Sequence, residues 1–370
     1  MKNKTIFIGF IIGVGILLLA VIGNYFSKDN MTKDEGIFSN VVQDNIIQSN
    51  INILEVSDVP EDCDVVFTHR FTDITKINAI QPIGSITGAS PGRSYLDIKE
   101  GETVPVYAPM DATLKFIAYS YRGPEAPYPE YGFSFDTGCG VTFMLDHLDT
   151  ISDELKQYAP IEPSLATDGT NNLSVEVEAG TLLGYTDGTE QAKTFDFLVI
   201  DKNTDVFHIN PERWDWDQAL HAVCPYDLYT DDLKSEYYEK IGTYYYTGFV
   251  KAESCGNPSY DIVGTISGGW FLGENDTMMT GEFMTIGEEG GNVYTIVKNN
   301  LEDVIIRVDD YWTEVMPKDV KVGSSACYFD NNTDTWMFLN LVSEETIQLA
   351  NGNGNCPVEF PDSNIKIYSR

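Results

Sequence analysis

G-R-S-Y-L-D-I (92–98), V-P-V-Y-A-P-M-D-A-T-L (104–114), D-H-L-D-T-I (146–151), V-E-A-G-T-L-L-G-Y-T-D-G-T (177–189) and F-D-F-L-V-I-D (195–201) decide the fold of the first half of the chain. Each is a short run of β-branched and aromatic residues bounded by Gly, Pro, Asp or Asn. That is the pattern of strands joined by tight turns. Strands are expected at 65–70, 104–107, 113–121, 131–135, 141–146, 174–177 and 194–200. Pro124, Pro127 and Pro129 mark a loop, 158–172 a longer acidic one, and 151–157 one or two helical turns.

In order and spacing these five segments resemble the lysostaphin/LytM-type zinc metallopeptidases, whose domain is also called the duplicated hybrid motif. The resemblance covers residues 84–201 and implies a β-sandwich. It also implies a zinc site held by H-x-x-x-D and by the second His of H-x-H. In this chain Arg93 stands at the first His, Asp97 is retained, and Phe195 and Phe197 stand at both positions of H-x-H. A catalytic zinc needs three protein ligands and an open position. Phe has no lone pair to give, and a guanidinium repels the metal and can pair with Asp97 instead. His147 falls at the His of the family's Tyr-x-His-Leu segment, with Leu145 in place of the Tyr. It is read either as a partner of Asp97 in a remnant polar pocket or as a strand-end structural His. The resemblance thus implies the family's shape without its chemistry, a pseudoenzyme with remnant positions Asp97 and His147.

Around this core, composition sets limits. The 370 residues allow two domains, and 23 basic against 57 acidic residues give a net charge of −34. That excludes a phosphate backbone as partner and disfavours direct docking on an anionic lipid surface. Lys2 and Lys4 precede an uncharged apolar run from Ile6 to Gly23. This length nearly spans a bilayer, with the lysines inside. A cleaved secretory signal is the competing reading; both place residues 30–370 outside the cytoplasm. The expected location is therefore the cell membrane, single-pass, with the membrane itself as one partner through the N-terminal helix.

Six dispersed cysteines suit an exported chain and read as structural disulfides. Fifteen connectivities exist. The expected pairs are Cys327–Cys356, across neighbouring antiparallel strands, then Cys63–Cys139 and Cys224–Cys255. Sequons at Asn30, Asn172, Asn275 and Asn331 are glycosylation candidates.

The domain reading is an anchor or signal at 1–27, a polar stalk at 28–60, the LytM-like β domain at 61–204, a connecting segment at 205–255, and a second β domain at 256–370. The connecting segment carries one short helix within 231–242, capped by Asp231 or Asp232 and ended by Gly242. Strands at 261–267, 280–286, 291–297, 304–308, 325–329, 336–342, 346–350 and 365–368 predict a small antiparallel barrel or sandwich. G-T-I-S-G-G-W-F (264–271) resembles the opening strand of lipocalin-like barrels. The fold class is mainly β.

Other chemistry finds little footing. His69, His208 and His221 lack metal-ligand spacing, so zinc is disfavoured. Acidic turns at 186–188 and 330–334 offer weak calcium binding at most. No serine or cysteine nucleophile motif, dinucleotide fingerprint or phosphate loop is present. W-D-W (214–216) and the tyrosine-rich 229–246 are read either as sugar-stacking faces or as core. Three functions follow: a non-catalytic LytM-like binding or scaffolding protein of the cell envelope, recruiting an envelope protein or glycan; a zinc endopeptidase with a displaced metal site using Asp97, His147 and a third ligand; or a small-ligand or carbohydrate-binding protein working through the C-terminal barrel.

Overall fold

The computed structural model describes residues 63–84, 91–122, 128–164, 169–170, 172–190, 192–245, 248–290, 293–298, 304–308, 315–330 and 333–370. The anchor and stalk readings therefore lie outside the described residues. Among the described residues no helix is long and apolar enough to cross a membrane.

The chain is mainly β. Its first sheet has eight strands. They are β1 (Ile77–Ile80), β2 (Arg93–Ile98), then β4 (Ala112–Arg122), β5 (Tyr128–Asp136), β6 (Val141–Leu148), the short β8 (Gly169–Thr170) and β9 (Val175–Val177), and β11 (Thr194–Asp201). The order is β1-β2-β11-β6-β5-β4-β8, with β9 also on β4. A smaller sheet places β10 (Leu182–Thr186) between β3 (Val104–Tyr107) and β7 (Thr150–Ile151). β11 lies centrally and reads T-F-D-F-L-V-I-D. All of it but Asp201 is buried, so both of its faces are covered. β2 alternates half-buried and buried residues, as period-2 side chains demand.

One face of this sheet carries the core. Phe67, Phe71, Leu96, Phe133, Phe143, Leu145, Phe195, Phe197 and Val199 meet there. Phe71 and Phe197 rings lie 4.7 Å apart, and Phe135 stacks on Phe143 at the same distance. Cys63–Cys139 and Cys224–Cys255 are bonded and tie loops onto this domain. Residues 65–70 do not form the expected strand. Phe67 makes one parallel bridge to Tyr229, and the amides of Thr68 and His69 both donate to the Pro109 carbonyl. The segment is held as a core plug rather than a ladder.

Residues 205–255 form more than a connection. They hold α1 (Asp217–His221), α2 (Asp231–Tyr238) and a hairpin of β12 (Gly242–Tyr245) with β13 (Gly248–Lys251). The capping expectation is corrected. Thr230 sits at the N-cap of α2, while Asp231 and Asp232 occupy its first turn, where carboxylates favour the helix dipole. The helix stops at Tyr238, and Gly242 opens β12 instead. Tyr226, Tyr229, Leu233 and Tyr237 join the first core, whereas Trp214, Trp216 and Ala219 join a cluster with Tyr260, Phe271, Met278 and Phe283. The segment is therefore split between two cores. Of the rings in 214–216 and 229–246, Trp214, Trp216, Tyr229 and Tyr237 are buried and serve as core, whereas Tyr238 is half-buried.

The second sheet has eight antiparallel strands: β14 (Gly268–Phe271), β15 (Phe283–Gly290), β16 (Val293–Lys298), β17 (Val304–Val308), β18 (Ser325–Asp330), β19 (Thr335–Ser343), β20 (Thr346–Asn353) and β21 (Lys366–Ser369). Neighbours follow chain order, and β14 pairs with β21, so the sheet curls into a half-barrel whose path ends at β17 and β18. Cys327 on β18 is bonded to Cys356, which follows β20. The expected strand at 261–267 is a turn: the Thr265 amide donates to Ile262 O, Gly264 takes φ +76°, and pairing starts at Gly268. Trp270, Met284, Ile286, Tyr328, Met337, Leu339 and Tyr368 fill the concave side.

Candidate functional site: a buried ionic cluster on the second face of the first sheet

Cross-strand register decides what faces what. Thr194 pairs with Asp97, Asp196 with Tyr95 and Leu198 with Arg93; Asp196 also pairs with Asp146. Directly opposed residues point to the same side. Arg93, Asp97, Asp146 and Asp196 therefore share the face opposite the core. Phe195 and Phe197 pair with Leu96 and Ser94 and lie on the core face, fully buried. This corrects the placement of the two Phe residues as ligand positions. A one-residue offset on a strand turns the side chain to the other face. On the face of Arg93 and Asp97, β11 offers Thr194, Asp196 and Leu198 instead.

Arg93 does not pair with Asp97. Its Nη1 donates to Asp146 Oδ2 at 2.5 Å and to Asp196 Oδ2 at 2.8 Å. Asp97 interacts with the Asn78 side chain, and burial pushes its carboxyl above the usual range. His147 does not meet Asp97 either. Its Nδ1 lies 2.8 Å from Glu130 Oε1, and its Nε2 is 3.6 Å from Asp196 Oδ2. The site is thus Arg93, Glu130, Asp146, His147 and Asp196, drawn from β2, β5, β6 and β11. Asp146, Asp196 and Glu130 escaped the sequence reading. The signal was present in F-D-F, where a carboxylate alternates with two core rings and must face the other way.

Burial grades across the cluster. Side chains of Asp196 and Glu130 are 2% and 4% exposed, whereas Asp146, Arg93 and His147 are at 13%, 14% and 18%. Burial alone would lower the pKa of Arg93, but Asp196 and Asp146 outweigh it and hold the guanidinium well above its ordinary value. Burial likewise disfavours the imidazolium of His147, yet Asp196 and Glu130 pull it up to about 10. Burial would raise Asp196; the two cations hold it well below the usual carboxylate range. The charges are mutually conditional, as in any buried network.

Two local features sustain the arrangement. Gly132 on β5 lies beneath Asp146: a Cβ there would stand 2.1 Å from Asp146 Oδ1, so only glycine leaves room for the carboxylate. His147 adopts φ +68°, a left-handed conformation costly for a side-chain-bearing residue, and its carbonyl accepts from Thr186 Oγ1 at 2.6 Å.

This donor set does not fit zinc. One imidazole is present, its Nδ1 is engaged by Glu130, and the two nearest carboxylates already hold a fixed cation. Among the described residues no three of His, Cys, Asp and Glu converge to hold a metal ion. His69 is exposed, His208 is buried against Trp214, and His221 Nδ1 lies 2.9 Å from the Thr204 carbonyl. In the acidic turn at 186–188, Asp187 N donates to Asp149 and Gly188 N to Thr186 Oγ1. In the turn at 330–334, Thr333 donates to Asp330. Asn172 and Asn275 are exposed; Asn30 and Asn331 lie outside the described residues.

No family model, curated protein or solved structure matches this chain.

Proposed function

We propose that the chain is a membrane-anchored, extracytoplasmic protein whose first β domain is a non-catalytic LytM-like module with a binding or scaffolding role at the cell envelope. One observation carries this reading: the Arg93 guanidinium bridges Asp146 and Asp196 on the face that also carries Asp97. A permanent cation occupies the centre that a hydrolytic site of this kind would give to a Lewis acid, and it neutralises the carboxylates around it. The carboxylates paired with a fixed cation favour recognition over a reacting centre. Three disulfides in the described chain accord with export. The test is elemental analysis of purified protein with a peptidase assay. No stoichiometric zinc and no hydrolysis are expected. One zinc per chain, lost in Asp97→Ala, would overturn the proposal.

A second reading, a small ligand held inside the half-barrel, is favoured by the Tyr328 hydroxyl, which is sealed without a hydrogen-bond partner among the described residues. A co-purified compound released on denaturation and absent from Tyr328→Phe would raise this reading above the first.

A further inference from the structure

Within the ionic cluster the outward atoms are left unengaged among the described residues. Arg93 spends only Nη1 on its carboxylates. Nε and Nη2 make no hydrogen bond among the described residues and are not sealed from solvent. His147 Nε2 is in the same condition, since 3.6 Å to Asp196 is beyond a hydrogen bond. Asp146 Oδ1 is a free, reachable acceptor beside them. Beneath lies a further signal: Asp196 Oδ1 is sealed and has no partner among the described residues, an orphan that native interiors rarely tolerate. A left-handed His147 adds strain at the same point.

The geometry points to a saccharide site: we infer that the Arg93–Asp146–His147 edge binds a vicinal diol of a neutral sugar. This rests on the non-catalytic binding reading above and names its ligand class. The argument is one of charge and of donor count. Arg93 and His147 already face three carboxylates, so an added anion would make the excess larger. An added ammonium would meet two fixed cations. A neutral group that donates to Asp146 Oδ1 and accepts from Arg93 and His147 satisfies all three without changing the charge. Adjacent sugar hydroxyls do this, since each donates one hydrogen bond and accepts others. Tyr95 lies on the same face two residues from Arg93 and close enough to act on its charge.

The test is an NMR titration of the full-length, 15N-labelled protein, following the Arg93 Nε–H and His147 Nε2–H resonances. The probes are N-acetylglucosamine, N,N′-diacetylchitobiose and maltose, with acetate, methylammonium and zinc as separate arms. Saturable shifts with at least one sugar are expected, weakened about tenfold or more in Arg93→Lys and Asp146→Asn. No shift with any sugar, or shifts with acetate or methylammonium alone, overturns the inference even if both variants fail to fold, because the wild-type titration stands by itself. Absence of sugar shifts without zinc binding sinks this inference only; stoichiometric zinc binding at these resonances sinks the non-catalytic reading beneath it.

Discussion

Among the described residues two Arg–Asp–His constellations stand out, and they are built differently. In the first sheet Arg93, Asp146, Asp196 and His147 form a graded cluster with open outer atoms. In the half-barrel Arg370, Asp261 and His208 are closed off, with side chains 1%, 1% and 0% exposed. Arg370 lies 4.0 Å over the Trp270 ring and donates to the carbonyls of Ser267 and Thr265. Asp261 is consumed by the amides of Ile209 and Gly269, at 2.8 and 3.1 Å. Trp214 covers Gly269 so closely that a Cβ there would stand 2.2 Å from its ring. The second constellation locks residues 205–216 onto the half-barrel. Burial outweighs the pull of Asp261, 3.6 Å away, and of Glu344, and the Arg370 pKa falls to about 10, whereas that of Arg93 is held up. The same residue types make a latch where the donors are spent inward and an open edge where they are left outward.

The largest expected effect breaks the first cluster at its centre. Asp196→Ala leaves Arg93 and His147 without their shared counterion and should cost ~3–5 kcal/mol in urea unfolding. A loss below ~1 kcal/mol would make the cluster a weak surface network. Next, removing the Cys327–Cys356 bridge by double Ala substitution should cost ~3–4 kcal/mol in the chain-entropy model. An unchanged midpoint would mean that the half-barrel does not depend on it. Arg370→Ala should cost less than Asp196→Ala, ~2 kcal/mol, because Asp261 keeps two amide donors. It should leave any shift at Arg93 untouched. If Arg370→Ala proves the more damaging, the ranking of the two constellations is reversed.

A pH series separates them further. His147 has a folded-state pKa of about 10, above its unfolded value, so its stabilisation is complete below about 6.5 and is lost as pH rises through about 10. Asp196 is depressed, so its share is present above about 3.9 and is lost as pH falls below that. Stability of the wild type should therefore drop more than that of His147→Gln between pH 8 and 11, read by denaturation at each pH as a difference of order 1 kcal/mol. Parallel curves would contradict it. The smallest effect lies at the rim. Burial and the Asp187 carboxyl push Asp149 up to about 6 against the pull of the Asp187 amide, so its ionisation opposes folding progressively from about pH 4 and fully above about pH 6. Asp149→Asn should slightly raise the midpoint at about pH 7.5 and leave it unchanged below about pH 3.5, under both pKa values; a lower midpoint at the higher pH would reject this.

Most strands could be read from the chain because period-2 patterning and turn residues are local. β3 and β17 fall at the expected bounds, and β4, β11, β18 and β19 within one residue at either end. The three disulfides join the expected pairs, of which only Cys327–Cys356 was argued from neighbouring strands. The site was less legible. Arg93, Asp97 and His147 could be named from the sequence, but their partners could not. A strand tells which residues alternate; only the register between β2, β11 and β6 tells which ones meet. That register put Asp196 rather than Phe195 or Phe197 beside Arg93, gave Asp146 the place expected of Asp97, and assigned His147 to Glu130. The residue inventory and its strands were local properties of the sequence. The pairing of charges belonged to the tertiary structure, because a buried charge finds its energy in neighbours far along the chain.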